Sequence, residues 1–170
     1  YSVTDHAVFL GIAEAMLDAE SKVSTHETAG WFKTMQTVEE RRAAFMRLVR
    51  FVVSGRHEEI LDDYEGLPIV KTAWSDIVDA ANRHYEPGRF TTFIGYEYTP
   101  APQNQNLHRN VIFRGADVPE LPFSRLDSGN PEDLWRWMDR QRDGGIDVLA
   151  IPHNSNGSNG EMFRLGYFDG

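Results

Sequence analysis

Two runs dense in aromatic and β-branched residues lie close together between Phe90 and Phe113, and a chain that contains them must pair them as strands or leave both unpaired in water. The first, FTTFIGYEYT, carries Phe90, Phe93, Ile94, Tyr96 and Tyr98, and the second, HRNVIFR, opens on His108. A polar, Pro-containing stretch between them supplies the turn. Glu97 falls near the end of the first run. Pairing as a hairpin therefore sets a carboxylate beside an imidazole at one rim of a sheet, from which metal ligands are commonly delivered. Taken alone, the glutamate of GYEYT reads as a solvent-facing strand residue. Its weight changes because the same design recurs twice more.

Taken in order, Tyr1 to Thr4 read as a strand end, with Asp5 and His6 at the turn that follows. From Ala7 the spacing of Phe9, Ile12, Ala13, Met16 and Leu17 predicts a helix that fades near Glu20. A polar stretch, Ser21 to Gly30, closes on Trp31 and Phe32 as a small anchor. Thr37 and Glu40 form a capping box for a second helix, which Gly55 ends. Its apolar stripe is Phe45, Leu48, Val49, Val52 and Val53, with Arg41, Arg42, Arg47 and Arg50 mostly on a solvated face. Arg56 to Gly66 is acidic, a short helical turn, and Ile69 to Tyr85 predicts a third helix with Trp74, Ile77, Val78 and Ala81 inward. Positions 7–89 are thus a helical excursion between strands, expected to bury Phe45, Leu48, Val49, Val52, Trp74 and Ile77 away from the site. His26, His57 and His84 have no ligand-like neighbour three or four residues on and read as surface or capping histidines.

Beyond the hairpin, 115–129 is a loop, and Asn130–Pro131 opens a helix through Leu134, Trp135 and Met138 to the Gly144–Gly145 break. The run IDVLAI predicts a strand covered on both faces, ending in Pro152 and His153 before the loop NSNGSNG. SVTDH, FIGYE and VLAIPH are then three short apolar strands, each delivering an acid or a histidine at its carboxyl end. With helical segments between them, that is the logic of a parallel α/β sheet or barrel with its chemistry at the strand ends. His6, Glu97, His108 and His153 are the candidate ligands. The chain has no cysteine, so zinc ribbons and thiol nucleophiles are excluded, and histidine with carboxylate suits zinc, manganese or iron. A formal net charge of −9 argues against general nucleic-acid binding, and no apolar run reaches membrane-spanning length. At 170 residues the chain is long enough for one domain.

In that order, TDH, GYE, LHRNVIF and IPHN resemble the motifs of the PHP superfamily, the polymerase and histidinol-phosphatase metalloenzymes. YSVTDHAVFLG, FIGYEYT, LHRNVIF and IPHNSN are most similar to a large bacterial branch whose members read VTDHAEFLG, GYEWT, HRNVIF and PHN. The resemblance covers nearly the whole chain, to about Gly160. It implies an α/β fold, part of a distorted (βα)7 TIM-like barrel with a helical insertion, holding two or three divalent ions that hydrolyse phosphate esters. Carried over, His6, Glu97, His108 and His153 are metal ligands, with Glu97 bridging, and Glu97 and His153 are the catalytic pair. Asp5 matches the acid of TDH beside the ligands, and Asn154 follows the last histidine, placed to meet substrate. The family's HxH pair is expected upstream of Tyr1 and its late Asp-x-His pair downstream of Gly170, so the chain reads as an internal piece of a longer enzyme. The expected partner is a small-molecule phosphoester or related ester. The alternative is a PHP-like binding or structural module without chemistry. An amidohydrolase-like barrel is disfavoured because no lysine stands at a strand end.

Overall fold

A computed structural model describes residues 1–33 and 35–164, apart from the side chains of Val49, Val52, Val53 and His57. The expectations for those four side chains lie outside the described residues. The fold is mixed α/β, and it divides into two compact units, one of Tyr1–Val8 with Trp74 onward and one of Phe9–Ala73. Among the described residues, no helix is long and apolar enough to cross a membrane.

The first unit is built on the expected hairpin. Strands β1 (Gly95–Tyr98) and β2 (Arg109–Phe113) pair antiparallel, Glu97 opposite Asn110 and Tyr98 opposite Arg109. β3 (Val148–Pro152) lies on the far side of β2, again antiparallel, so the order is β1-β2-β3 and the sheet is open. The N-terminal segment joins β1 on its other edge through a parallel bridge between His6 and Glu97. The Glu97 amide donates to the Asp5 carbonyl at 2.8 Å, and the Ala7 amide donates to that of Glu97 at 3.0 Å. Of the neighbours expected to be parallel, the N-terminal segment and β1 lie side by side, whereas β1 and β3 are separated by the reversed β2. The N-terminal segment, β1 and β3 still run in one sense, because β1 and β3 each oppose β2.

Strand alternation divides this sheet cleanly. Tyr96, Tyr98, Val111 and Phe113 point to one face and are fully buried. There Trp74 meets Tyr96 edge to face with centroids 5.8 Å apart, and Trp137 stands 6.4 Å from Phe113. Two of the polar tips in this layer find partners: Trp74 Nε1 donates to the Pro119 carbonyl at 2.9 Å and the Tyr98 hydroxyl to that of Ser128 at 2.8 Å. Helix α6 (Pro131–Asp143) buries Leu134 and Met138, one turn apart, and packs on β3. Its start is the expected one, the Asn130 side chain accepting from the Glu132 amide at 3.0 Å. The opposite face holds Gly95, Glu97, Asn110 and Ile112. A methyl on Gly95 would come within 2.7 Å of both Ile112 Cδ1 and Ser2 Oγ, so glycine is what lets the N-terminal segment lie against β1. β3 departs from expectation: Leu149 and Ile151 are 49% and 50% exposed on this face. A continuous apolar run marks a doubly covered strand only where a second layer exists, and the aromatic layer lies on one side alone.

The helical unit contains α1 (Ile12–Ala15), α2 (Ala29–Lys33), α3 (Val38–Val53), α4 (His57–Asp62) and the start of α5 (Gly66–Arg83). The helix expected from Ala7 to Glu20 shrinks to the single turn of α1, because Phe9 and Gly11 take left-handed backbone angles, φ 61° and 75°. Ile12 and Met16 are nonetheless buried. α3 begins at the capping box: Glu40 Oε2 accepts from the amides of Gln36 (2.8 Å) and Thr37 (2.9 Å), and the Glu40 amide donates to Thr37 Oγ1 at 3.2 Å. Its inward stripe departs from expectation at Phe45, which is 60% exposed, whereas Ala44 and Phe51 are buried and Leu48 is half-buried. His26, expected as a surface or capping histidine, lies in the core while still bonding a nearby backbone amide. It is buried, its Nδ1 accepts from the Thr28 amide at 3.2 Å, and its ring stands 4.7 Å from that of Tyr64.

Candidate metal centre

One row beyond the pairs Tyr98–Arg109 and Arg109–Pro152 stand Thr99, His108 and His153, and the His153 amide donates to the His108 carbonyl at 2.9 Å, extending the ladder to that row. Alternation returns these three side chains to the face that bears Glu97. The bridge between His6 and Glu97 adds the fourth expected residue. The result is three imidazoles around one carboxylate. His108 Nδ1 lies 2.9 Å from Glu97 Oε1, and His6 Nδ1 and His153 Nε2 lie 3.5 and 3.6 Å from Glu97 Oε2. Glu97 and His108 are buried, while His6 and His153 open to solvent.

Burial pushes the Glu97 carboxyl up, but contact with His108 and the nearby imidazoles of His6, His108 and His153 pull it down by more, so it lies below its ordinary value. It is a carboxylate at neutral pH. His108 Nδ1 and Glu97 Oε1, both buried, approach at 2.9 Å as an ion pair whose alignment departs from that of a linear hydrogen bond.

Nitrogen and oxygen ligands held about 2.0–2.2 Å from one ion are themselves roughly 3–3.5 Å apart. Among the described residues, however, no three His, Asp or Glu side chains already enclose a common ion position. The imidazoles of His6 and His153 lean on the carboxylate itself, and ring rotations at these exposed positions separate this arrangement from a ligand shell.

Thr99, which the sequence reading passed over, fixes His6. Its hydroxyl donates to the Glu97 carbonyl at 3.2 Å and therefore accepts from His6 Nδ1 at 2.8 Å. That assignment puts the proton on Nδ1 and the lone pair on Nε2. Asp5 contributes its carbonyl to the Glu97 amide, while its carboxylate is exposed. Asn154 is exposed in the left-handed region at φ 56°. In the loop after it, Ser158 is buried and its hydroxyl donates to the Ser155 carbonyl at 2.7 Å. Arg109 lies on the aromatic face as alternation requires, its guanidinium donating to the Leu107 carbonyl and lying 5.8 Å from the Trp135 ring centroid. A separate apolar cavity of about 380 Å³, walled by Ile77, Ala81, His84, Phe90 and Phe93, includes none of the Glu97 group in its lining.

Residues 1–170 match the family model described as protein of unknown function (DUF3604), and the chain belongs to that family. No curated protein and no solved structure matches the chain.

Proposed function

We propose that this member of the DUF3604 family is a metal-dependent hydrolase of phosphoesters whose chemistry is centred on Glu97. In this reading the sheet is a sector of a distorted (βα)7 barrel of the PHP kind, with 7–89 as its helical insertion. The observation that carries it is the convergence of three imidazoles, His6, His108 and His153, within 2.9–3.6 Å of the buried Glu97 carboxylate.

Two or three divalent ions, zinc, manganese or iron, are the cofactors of this reading, held by His6, Glu97, His108 and His153. A bound divalent ion supplies positive charge that acidifies water and neutralises phosphoryl oxygens, so no protein nucleophile is needed. The residues themselves do the rest. Glu97 stays ionised and offsets repulsion between neighbouring cations. Thr99 keeps His6 in the tautomer whose Nε2 can accept a cation. The exposed His6 and His153 mark the side from which a small phosphoester arrives. A non-catalytic binding module is the second reading, favoured by the absence, among the described residues, of three ligand side chains already around one point.

The test is a steady-state assay on a generic phosphoester, with metal content measured on the same samples of full-length protein. Glu97→Gln keeps the shape and removes the charge, and is expected to abolish turnover and release at least one ion while the fold persists. His153→Ala is expected to cost less and to be partly rescued by added metal. His84→Ala, exposed and lining the other cavity, is expected to change neither readout. Full activity in Glu97→Gln would sink the bridging role and leave the binding-module reading.

A further inference from the structure

The apolar cavity along α5 lies apart from the Glu97 group, and all of its walls belong to the first unit. Its floor is one row of the helix: Asp76, Ala80 and His84 follow at one-turn intervals, with Ile77 and Ala81 alongside. The row continues past the last helical residue because the His84 amide still donates to the Ala80 carbonyl at 3.2 Å. From Asp76 to His84 the floor runs about 12 Å, eight residues of helical rise. Val3, Phe90 and Phe93 face it, all exposed to solvent. Hydrogen bonds fix that wall in place. The Thr92 hydroxyl donates to the Ala81 carbonyl at 2.7 Å, the Glu86 amide to that of Phe90 at 2.9 Å, and the Phe93 amide to that of Tyr1 at 2.8 Å. The space is therefore preformed, as ligand pockets of this size usually are.

Size and charge narrow what fits. A cavity of roughly 150 Å³ takes a benzene ring. This one, at about 380 Å³, has room for a ring and a short chain beside it. Two lining hydroxyls are already engaged, that of Thr92 at Ala81 and that of Ser2, which donates to the Val3 carbonyl at 3.4 Å. Asp76 and His84 stand exposed at the two ends of the floor, and among the described residues neither side chain has a hydrogen bond or an ion pair. We propose that this cavity binds an arylalkyl amine, with its ring and chain between the alanine floor and the two phenylalanines and its ammonium group at Asp76. Aromatic faces and a carboxylate both attract positive charge. The same carboxylate repels an acid of equal shape, as does a chain of net charge −9. The inference is independent of the metal reading, since it concerns other residues in another cavity.

The experiment is a ligand-observed NMR titration of the full-length protein with phenylbutylamine, and with phenylbutanol and phenylbutyrate as neutral and anionic probes of similar length. Thermal melts on the same samples keep a lost fold from passing as lost binding. Wild type is expected to bind the amine about 5-fold more tightly than the alcohol, the upper size of one exposed ion pair, and the acid more weakly than either. Asp76→Asn is expected to bring the amine down to the alcohol and leave the alcohol unchanged. Ala81→Leu, which fills the floor, is expected to weaken amine and alcohol alike, on the order of 10-fold. Wild type that fails to bind the amine, or binds it no better than the alcohol, overturns the proposal. An Asp76→Asn variant that keeps the preference for the amine does so as well. Undiminished binding by folded Ala81→Leu places the ligand elsewhere and also overturns it.

Discussion

At the scale of single residues, the centre is organised by alternation along two strands. Glu97 and Thr99 on one, His108 and Asn110 on the other, each lie two residues apart and share a face. The ionisable members stood out in the sequence because histidine and glutamate at strand ends are chemically conspicuous. Thr99 did not, because threonine is an ordinary strand residue. The period of two was the signal available for it. Thr99 yields a prediction of its own. Thr99→Val keeps the shape but removes the hydroxyl that holds His6, so metal affinity should fall on the order of 10-fold, with Thr99→Ser close to wild type. Titration of the two variants decides it, and equal affinities in Val and Ser variants would remove Thr99 from the account. The lowered value of Glu97 has a consequence in acid as well. A carboxyl whose folded value is depressed contributes stability that is full above its unfolded value, about 4.3, and is lost as pH falls through the folded value. Glu97→Gln should therefore flatten the acid limb of a stability–pH curve in metal-free protein, and an unchanged limb would show the carboxylate to be electrostatically unimportant.

At the scale of elements, what could be read from the chain was what local chemistry decides. The hairpin, the capping box of α3 and the Asn130 cap of α6 each rest on residues within a few positions of one another, and each formed as expected. Misreadings came where a distant surface or a single backbone angle decides. The left-handed Phe9 interrupts an otherwise helical pattern, and Leu149 and Ile151 lack the second layer their hydrophobicity suggested. On α3 only Phe45 was misplaced among the described side chains, because it outweighs Ala44 in any apolar pattern, while packing selected Ala44 and Phe51 beside the half-buried Leu48. Stability measurements separate the two faces. Phe51→Ala should cost ~3–5 kcal/mol, and Phe45→Ala should stay within about 0.5 kcal/mol of wild type. Reversal of that order in denaturant melts would restore the original stripe. The cap adds a pH signature. Glu40 lies below its ordinary value because it accepts from the backbone of Thr37 and Gln36, so its contribution is complete above about 4.3 and disappears as pH falls through the lower folded value. Glu40→Ala should lower the melting temperature at pH 7 and leave it nearly unchanged at pH 2.

At the scale of the whole molecule, residues from three separate stretches of chain meet in one unit: the N-terminal segment, the hairpin and the end of β3. The sheet places them by strand direction, since the N-terminal segment, β1 and β3 run in one sense and β2, running the other way, begins where they end. This explains why strand-end reasoning located the group even though it expected parallel neighbours. The rule concerns which rim a residue reaches, and an intervening reversed strand leaves that rim intact. The face bearing Glu97 stays open around Leu149 and Ile151. The account stands on a cation at Glu97, and crystals of the full-length protein grown with Mn2+ test it most directly, by anomalous diffraction at the manganese edge. The expected result is a peak about 2.0–2.2 Å from a Glu97 carboxylate oxygen and from at least two of the nitrogens of His6, His108 and His153. A fully occupied lattice with no anomalous peak on that face of the sheet would contradict it.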